Sequence, residues 1–552
     1  MVQSSVRGGG TRPRVQHAAD RGGSGGSPEG GATGGGGDGD GRRGRRRGPA
    51  KHRILRWTAT SVAVLVLGTA GAGYLYYQHL NGNIRKGERS SGDSGAKKTG
   101  ANAAGQTPIN ILLIGSDSRN TAENLKLGGH RESVGTPALA DVQMLIHIAA
   151  DRKSAAVVSI PRDTRVDIPK CKDPDTGKTY GAINQIINES LARGGPGCTL
   201  ATWEKLTGIY IDHWMTIDFA GVVRMADAIG GVKVCVNQKV WDRKIGVDGG
   251  GSGLRLDTPG EHTVKGKQAL QWLRTRHAWG SDPLRAKAQH MYMNSMIREL
   301  KQQNAFTDTG RLTDLAEAAT KSLKVSEEIG SVKKLYDLGM QLKTVPTNRI
   351  TMMTMPVDPD PEDANHLVAN ETDADKIWEM IRDDVPFDKN GGSTAKATQA
   401  SAQPTPSSKD RAAAKDEIGV LVQNGTRTAT LGPVSQRASA VAKSLTGKGF
   451  TKAAPDQTSS LAEAKSVVRF PSAELEGDAQ DVAKSLGIPM SSVKKSADVS
   501  GVTVVVGADW RTGDTFPKKS APKAGDVPTT ADALNGSDTD KCMDVYGPYK
   551  NF

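Results

Sequence analysis

Gly115-Ser116-Asp117-Ser118-Arg119 follows directly on the apolar run Ile109–Ile114 and sets a carboxylate and a guanidinium two residues apart. Where extended geometry continues past a strand end, such a pair points to one side, which suits a site where a metal meets an anion. The competing reading is a turn in which Asp117 caps its own backbone. Pro161-Arg162-Asp163 follows the run Ala155–Ile160 in the same way. Proline ends the ladder there and leaves Arg162 at a strand edge, as a binding residue or as half of a surface ion pair. Asp141 is a single charge leading into Val142–Ile148. The densest group is Trp272-Leu273-Arg274-Thr275-Arg276-His277, then Ser281-Asp282-Pro283-Leu284-Arg285, then Gln289. On a helix, Arg274 and Arg276 would stand roughly 200° apart, so the chain must leave the helix there for both to reach one site. Arg285 and Gln289 are spaced i,i+4 and share a face. Three arginines within twelve residues look like a clamp for a multiply charged phosphate. The alternative is a solvated basic helix.

Acids to hold a divalent metal and arginines to hold phosphates are the ligand set of magnesium, which takes a few carboxylates plus substrate phosphate oxygens. No Cys or Ser nucleophile stands out, so direct displacement at phosphorus is simpler than a covalent intermediate. C-x-x-C and H-E-x-x-H are absent from the sequence, and G-x-S-x-G occurs only as Gly22 to Gly26 within the glycine-rich tail. The nearest approach to a P-loop, Gly260 to Gly266-Lys267-Gln268, has the wrong glycine spacing and Gln where Ser or Thr should bind magnesium.

The 552 residues suffice for two or three domains, yet aromatic residues are only 4% and there are 65 glycines and 26 prolines, so much of the length lies outside packed cores. Residues 1–56 carry a local charge of +8 out of a total of +13. The basic balance therefore describes a tail, and a nucleic-acid partner is not expected for the folded part. Residues 1–50 hold 17 glycines and are expected to be a disordered basic cytoplasmic tail (1–56). Arg42, Arg43, Arg45, Arg46, Arg47, Lys51, Arg53 and Arg56 then flank Trp57–Tyr77, which has no charge over 21 residues. That length spans a bilayer core, and the basic flank keeps the N-terminus in the cytoplasm. A cleavable signal peptide is the competing reading, because Ala70-Gly71-Ala72 resembles a cleavage site. Either way the remainder lies outside the plasma membrane, where disulfides are permitted.

Residues 78–107 read as a linker and 108–360 as a globular α/β domain. Ile109–Ile114, Val142–Ile148 and Ala155–Ile160 read as strands, and Ile183–Ala192, Phe219–Ile229, Lys265–Leu273 and Ala286–Leu300 carry helical spacing. Residues 361–415 are an extension and linker, the Ser/Thr/Ala/Gln/Pro stretch 391–415 being without hydrophobic period. A smaller domain, 416–510, follows in the order strand (Ile418–Gln423), helix (Ser435–Leu445), strand (Ser466–Phe470), helix (Ala479–Leu486), strand (Val502–Val506). Residues 511–552 are expected to be a flexible tail.

At these residues the sequence resembles the LytR-CpsA-Psr (LCP) family of cell-wall glycopolymer transferases. The match rests on Asn110 to Arg119, Val158-Ser159-Ile160-Pro161-Arg162-Asp163-Thr164, Ile217-Asp218-Phe219-Ala220-Gly221, Ala228-Ile229-Gly230-Gly231-Val232 and Ala269 to Arg276. Val420 to Gly425 and Val504 to Asp509 look like the opening and close of a LytR C-terminal domain of the actinobacterial type. The resemblance implies a layered α-β-α LCP domain after a single transmembrane helix, plus the small C-terminal α/β domain. It implies Mg²⁺-assisted transfer of a glycopolymer from a polyprenyl-pyrophosphate carrier to a peptidoglycan acceptor, with cell-wall synthesis proteins as partners of the C-terminal domain. By position Asp117 and Asp141 take the family's metal-associated acids. Arg119, Arg162, Arg274, Arg276 and Arg285 face the pyrophosphate with Gln289 beside them, and Asp163 orients Arg162. The family's Arg-Ser-Asp is Leu139-Ala140-Asp141 in this chain, and Arg131, in the preceding loop, is a candidate substitute for the missing arginine.

Cys171 and Cys198 bracket a 26-residue insertion, and a bond between them is the first choice among three connectivities. Cys235 is then a buried free thiol, with Cys542 unpaired, or the two are linked. A non-catalytic wall-polymer scaffold and a lipid pyrophosphatase would use the same residues. A transcriptional role, suggested by the older family label, is opposed by the membrane span, which leaves only the basic tail to face DNA.

Overall fold

The computed structural model describes residues 50–102, 104–118, 121–127, 135–245, 250–302, 308–389, 412–427, 432–463, 465–517, 522–550 and 552. The expected disordered tail, apart from its last seven residues, most of the 391–415 stretch, Arg119 and Arg131 lie outside the described residues. The chain divides into Met1–Gly71 and Ala72–Phe552. Ala50–Asn83 is one helix, and its 29 residues Leu55–Asn83 are long and apolar enough to cross a membrane.

In the second unit an eight-stranded sheet runs in the order Arg85–Gly87, Leu323–Ser326, His213–Ile217, Ile109–Ser116, Ala140–Ile148, Ala155–Ser159, Ile350–Thr354, Leu534–Asn535. Its apolar residues alternate between two cores because successive strand side chains point to opposite faces. Leu112, Ile114, Leu145, Ala156, Val158 and Met353 meet Leu200, Trp203, Ile377 and Trp378 from helices Ser190–Thr207 and Glu371–Arg382. Ile111, Met144, Ile148, Val157 and Met352 pack with Ile297, Leu338 and Leu342 from helices Asp282–Gln302 and Val332–Thr344. With both faces covered, the central strands are largely apolar on both sides, and the result is a layered α-β-α domain.

The second domain is a five-stranded sheet in the order Ala453–Ser460, Val420–Asn424, Val502–Val506, Val467–Phe470, Val493–Lys495. Helices Arg437–Gly447 and Glu476–Leu486 bury Val441, Leu445, Val482 and Leu486 against Val422, Val468 and Val504. The two strands that the sequence did not disclose, Ala453–Ser460 and Val493–Lys495, are its edges. Edge strands need little apolar content because one side remains open.

Several expectations are corrected. The helix expected over Ile183–Ala192 begins only at Ser190; Ile183–Ile186 pairs antiparallel with Arg165–Ile168. Ile183, Ile186 and Ile187 sit at a spacing that suits either element, and the pairing strand decides. The helix is also kinked at Gly194 and Gly195, just before Pro196. Within the expected linker 78–107, Arg85–Gly87 adds a parallel edge strand to the main sheet. The expected boundary at 360 falls short, because Ile377, Trp378, Ile381 and Phe387 belong to the first core.

The largest correction concerns the tail. Residues 522–552 return to the first domain as a strap, so the second domain is topologically an insertion in the first. Ala531 is fully buried, Leu534–Asn535 pairs antiparallel with Thr351–Met352, and Met543, Val545 and Tyr549 join a third apolar cluster around Trp272 and Trp279. Cys542 is bonded to Cys235, with Cα atoms 4.6 Å apart, and Cys171 to Cys198 at 5.7 Å. The polar composition of the tail misled because its apolar residues are spread singly along an extended segment, without helical or strand period.

Candidate active site

Four strand ends meet at one end of the main sheet. Gly115 pairs with Ile217 and with Val142, Ser116 pairs with Ala140, and Met144 pairs with Ser159. Asp141 is the extra residue of a β-bulge, since Gly115 faces Val142 while Ser116 faces Ala140. Bulges re-aim a side chain without ending the strand. The approach is close: a Cβ on Gly115 would lie 3.0 Å from Val142 Cβ. Pro161 then ends the Ala155–Ser159 strand and delivers Arg162 beside Asp141.

A cleft of about 280 Å³ opens at this sheet end. Of the residues expected from sequence, Asp141, Arg162, Arg274, Arg276, Arg285 and Gln289 all line it. Arg274 is the last residue of helix Gly266–Arg274, and Thr275 breaks it with extended backbone, so Arg274 and Arg276 both reach the cleft. Arg285 and Gln289 come from helix Asp282–Gln302. Trp272, fully buried, locks the two helices by donating its indole N–H to Ala288 O at 3.0 Å, and Gln289 Nε2 donates to Leu273 O at 3.1 Å. The guanidinium of Arg274 lies 4.7 Å from the centre of the Phe219 ring.

Arg162 Nη1 donates to Asp141 Oδ1 at 2.9 Å and its Nε to Asp163 Oδ2 at 3.4 Å. Burial works against the charge of Arg162, but Asp141, Asp163 and Asp282 outweigh it and raise its pKa above the ordinary arginine value. Asp282 Oδ1 lies 3.1 Å from Arg276 Nε and 3.6 Å from Arg285 Nη1. Burial lowers the pKa of Arg285. Asp163 does not line the cleft; it stands behind Arg162.

Asp163 and Asp282 titrate as a pair. Burial raises Asp163 above its ordinary 3.8, opposed by Arg162 and reinforced by a hydrogen bond to Asp282. Burial also opposes the charge of Asp282, but Arg285 and Arg276 overcome it and hold Asp282 below the ordinary value. The raised carboxyl contributes stability that is complete below the ordinary value and is lost as pH rises through the folded one. The depressed carboxyl does the reverse, losing its contribution as pH falls. Asp163→Asn cannot ionise. Its melting temperature relative to the parent is therefore expected to climb as pH rises from about 3.8 through the raised value. A difference that stays flat with pH would remove the raised Asp163 carboxyl.

Asp117 takes a different place from the one expected. Its Oδ1 accepts from Leu139 N at 2.8 Å, tying the strand ends together, and it does not line the cleft. Asp117 and Asp141 nevertheless flank the same strand end. Of the two, only Asp141 lines the cleft, beside Arg162, Arg274, Arg276 and Arg285; magnesium takes few protein carboxylates and leaves its other positions to water and phosphate oxygens. Among the described residues no three His, Cys, Asp or Glu gather as a protein-only metal cage.

The cleft also holds residues that sequence reasoning did not assign to the site. Asp218 caps helix Phe219–Ala228 by accepting from Gly221 N at 2.8 Å, a role its place before an apolar run could have disclosed. Asp242 is fully buried and accepts from Ser252 N at 2.8 Å; Ser252 Oγ lies 2.7 Å from Thr275 Oγ1, between Arg274 and Arg276. No local pattern marks Asp242. His277 lines the cleft, and Asp282, which does not, is the counter-ion of Arg276 and Arg285.

Family models match both domains of the chain. The model of the LytR_cpsA_psr family matches residues 74–383, and that of the LytR cell envelope-related transcriptional attenuator matches 417–510. The cell wall biosynthesis protein LcpA of Corynebacterium glutamicum is 30% identical over 333 residues, 56% of this chain and 61% of LcpA, so less than two thirds of that relative is spanned. The polyisoprenyl-teichoic acid–peptidoglycan teichoic acid transferase TagT of Bacillus subtilis is 25% identical over 306 residues, 54% of this chain and 87% of TagT. A solved LytR-Csp2A-Psr enzyme from Actinomyces oris aligns with 54% of this chain and 95% of its own at 17% identity and a TM-score of 0.41. With the family model matched over more than half of its length, the chain belongs to the LytR_cpsA_psr family.

Proposed function

We propose that the chain is a membrane-anchored phosphotransferase that moves a glycopolymer from a polyprenyl-pyrophosphate carrier to a peptidoglycan hydroxyl outside the plasma membrane. The observation that carries this reading is the convergence of Arg162, Arg274, Arg276 and Arg285 with Asp141 on one cleft. So many guanidiniums in one half-enclosed space suit a pyrophosphate, whose oxygens each accept charge-assisted hydrogen bonds. The substrate class comes by analogy from the printed name of TagT, a polyisoprenyl-teichoic acid–peptidoglycan transferase.

In the transfer, the acceptor oxygen bonds to the phosphorus that carries the glycopolymer. The bond from that phosphorus to the bridging oxygen breaks, polyprenyl phosphate leaves with the electron pair, and the hydroxyl proton passes to solvent. Arg162, oriented by Asp141 and Asp163, and the trio Arg274, Arg276 and Arg285 neutralise the phosphate charge and hold the reacting groups in line. Asp141, which lines the cleft, with Asp117 at the same strand end, would hold Mg²⁺, which when bound supplies further neutralisation at phosphate oxygens. The apolar helix anchors the chain, its arginine-rich flank places the N-terminus in the cytoplasm, and the second domain is the surface for other cell-wall synthesis proteins.

The test incubates the full chain in detergent with a polyprenyl-pyrophosphate glycan and peptidoglycan oligomers, with and without Mg²⁺. Sugar covalently linked to the acceptor, only when metal is present, is the expected result. Polyprenyl phosphate released without a linked product would replace transfer by hydrolysis, and binding without turnover would leave a scaffold.

A further inference from the structure

Near its end the strap crosses the loop that carries Arg276. After Cys542, Met543 N donates to Cys235 O and Asn237 N to Met543 O, both at 2.9 Å, which seats the strap beside strand Val232–Val236. Val545 N donates to Gln238 Oε1 at 2.8 Å. Tyr546 N then donates to Ala278 O at 2.8 Å. Gly280, at φ 89° in the left-handed region that favours glycine, packs against the Tyr546 side chain. Tyr549, 9% exposed, stacks on His277 with ring centres 6.4 Å apart and planes at 22°.

His277 lines the cleft and directly follows Arg276. The Arg276 side chain is 48% exposed, against 22% for Arg162 and 13% for Arg285. Arg276 is thus the arginine least held by its surroundings. Its backbone is non-helical at φ −125°, ψ −58°, and its side chain has Asp282 as partner at 3.1 Å. A short connection between two helices can take several conformations, and each would re-aim a long side chain. The strap contacts both residues that follow Arg276, the ring of His277 and the main chain of Ala278.

We propose that Tyr549 is a positioning residue for the cleft: by stacking on His277 it holds the Arg276 loop in the conformation that presents Arg276 to pyrophosphate. The proposal rests on the reading of the cleft as a pyrophosphate site. It makes anion affinity depend on a segment that enters the chain only after the second domain.

Titration of the full chain with inorganic pyrophosphate tests it, comparing the parent, Tyr549→Ala, Tyr549→Phe and Arg276→Ala, with the two alanine changes also combined. Tyr549→Ala is expected to weaken binding about tenfold, a coupling of the usual size for residues in one network. Tyr549→Phe, which keeps the ring stack, should stay within about twofold. In the Arg276→Ala background, the Tyr549→Ala effect should vanish, whereas a general loosening of the fold would weaken binding in both backgrounds. If Tyr549→Ala does not fold, Tyr549→Leu keeps the apolar volume without the aromatic stack and is read in its place. Unchanged affinity in Tyr549→Ala, equal loss in Tyr549→Phe, or an undiminished effect without Arg276 would each overturn the inference while leaving the cleft reading intact. A parent chain that does not bind pyrophosphate would overturn both.

Discussion

Arg162→Ala in the full chain lowers kcat/KM for glycopolymer transfer by about 10²–10³-fold, the usual cost of removing one preorganised donor from a developing phosphate charge. The size follows from how this side chain is held. Pro161 sets its backbone at the end of the Ala155–Ser159 strand, Asp141 takes one nitrogen at 2.9 Å and Asp163 another at 3.4 Å, and the side chain is only 22% exposed. The surrounding acids keep it charged against burial, so it meets substrate without reorganising. Arg162→Lys retains the charge, but a single ammonium cannot bridge both acids and face a phosphate at once. It should lose about tenfold, between the two extremes. Transfer by Arg162→Ala within about threefold of the parent, measured as sugar linked to acceptor under saturating metal, would remove Arg162 from the reacting site.

Trp272→Ala lowers stability by about 3–5 kcal/mol, the range for truncating a buried aromatic, and reduces transfer about 10²-fold even where the chain remains folded. Trp272 has no exposed surface, meets the Trp279 ring edge-on at 5.0 Å, and bonds its indole N–H to Ala288 O. It therefore joins the helix that ends at Arg274 to the helix that carries Arg285 and Gln289. Losing it creates a cavity and lets two halves of the arginine clamp shift relative to each other. Trp272→Phe keeps one aromatic ring but forfeits the hydrogen bond and leaves a small cavity, so it should cost about 2 kcal/mol. Thermal unfolding together with transfer kinetics separates the two effects. A Trp272→Ala chain with parental melting and parental turnover would show that the helix pair is held elsewhere.

Much of the cleft was legible before folding because its residues sit at element ends, where local chemistry leaves marks. Arg162 stands after a proline that stops a strand, Arg274 and Arg276 straddle a helix end, and Arg285 and Gln289 share a helical face. Asp218 and Asp282 had local signals of a lesser kind, an N-cap before an apolar run and an Asp-Pro at a helix start. The α/β class and the long apolar helix were also readable, since period-2 and charge-free runs are local properties.

Tertiary structure alone decided the rest. Asp141 reaches the cleft because a bulge in its pairing with Gly115 and Ser116 turns it there, and pairing register is not visible in one strand. Asp117 turns instead to the Leu139 N–H. Asp242 is placed by the Ser252 and Thr275 hydrogen bonds, which join three stretches of chain. The strap was hidden most completely. Its residues 522–552 look polar and irregular, and they acquire order only from surfaces that exist once the first domain has folded: the Ile350–Thr354 strand edge, Cys235 and the loop at His277. A sequence can mark where a chain will turn, stop or cross a membrane. Which distant surface an extended segment will cover depends on shape complementarity between parts far apart in the chain, and no local pattern encodes it.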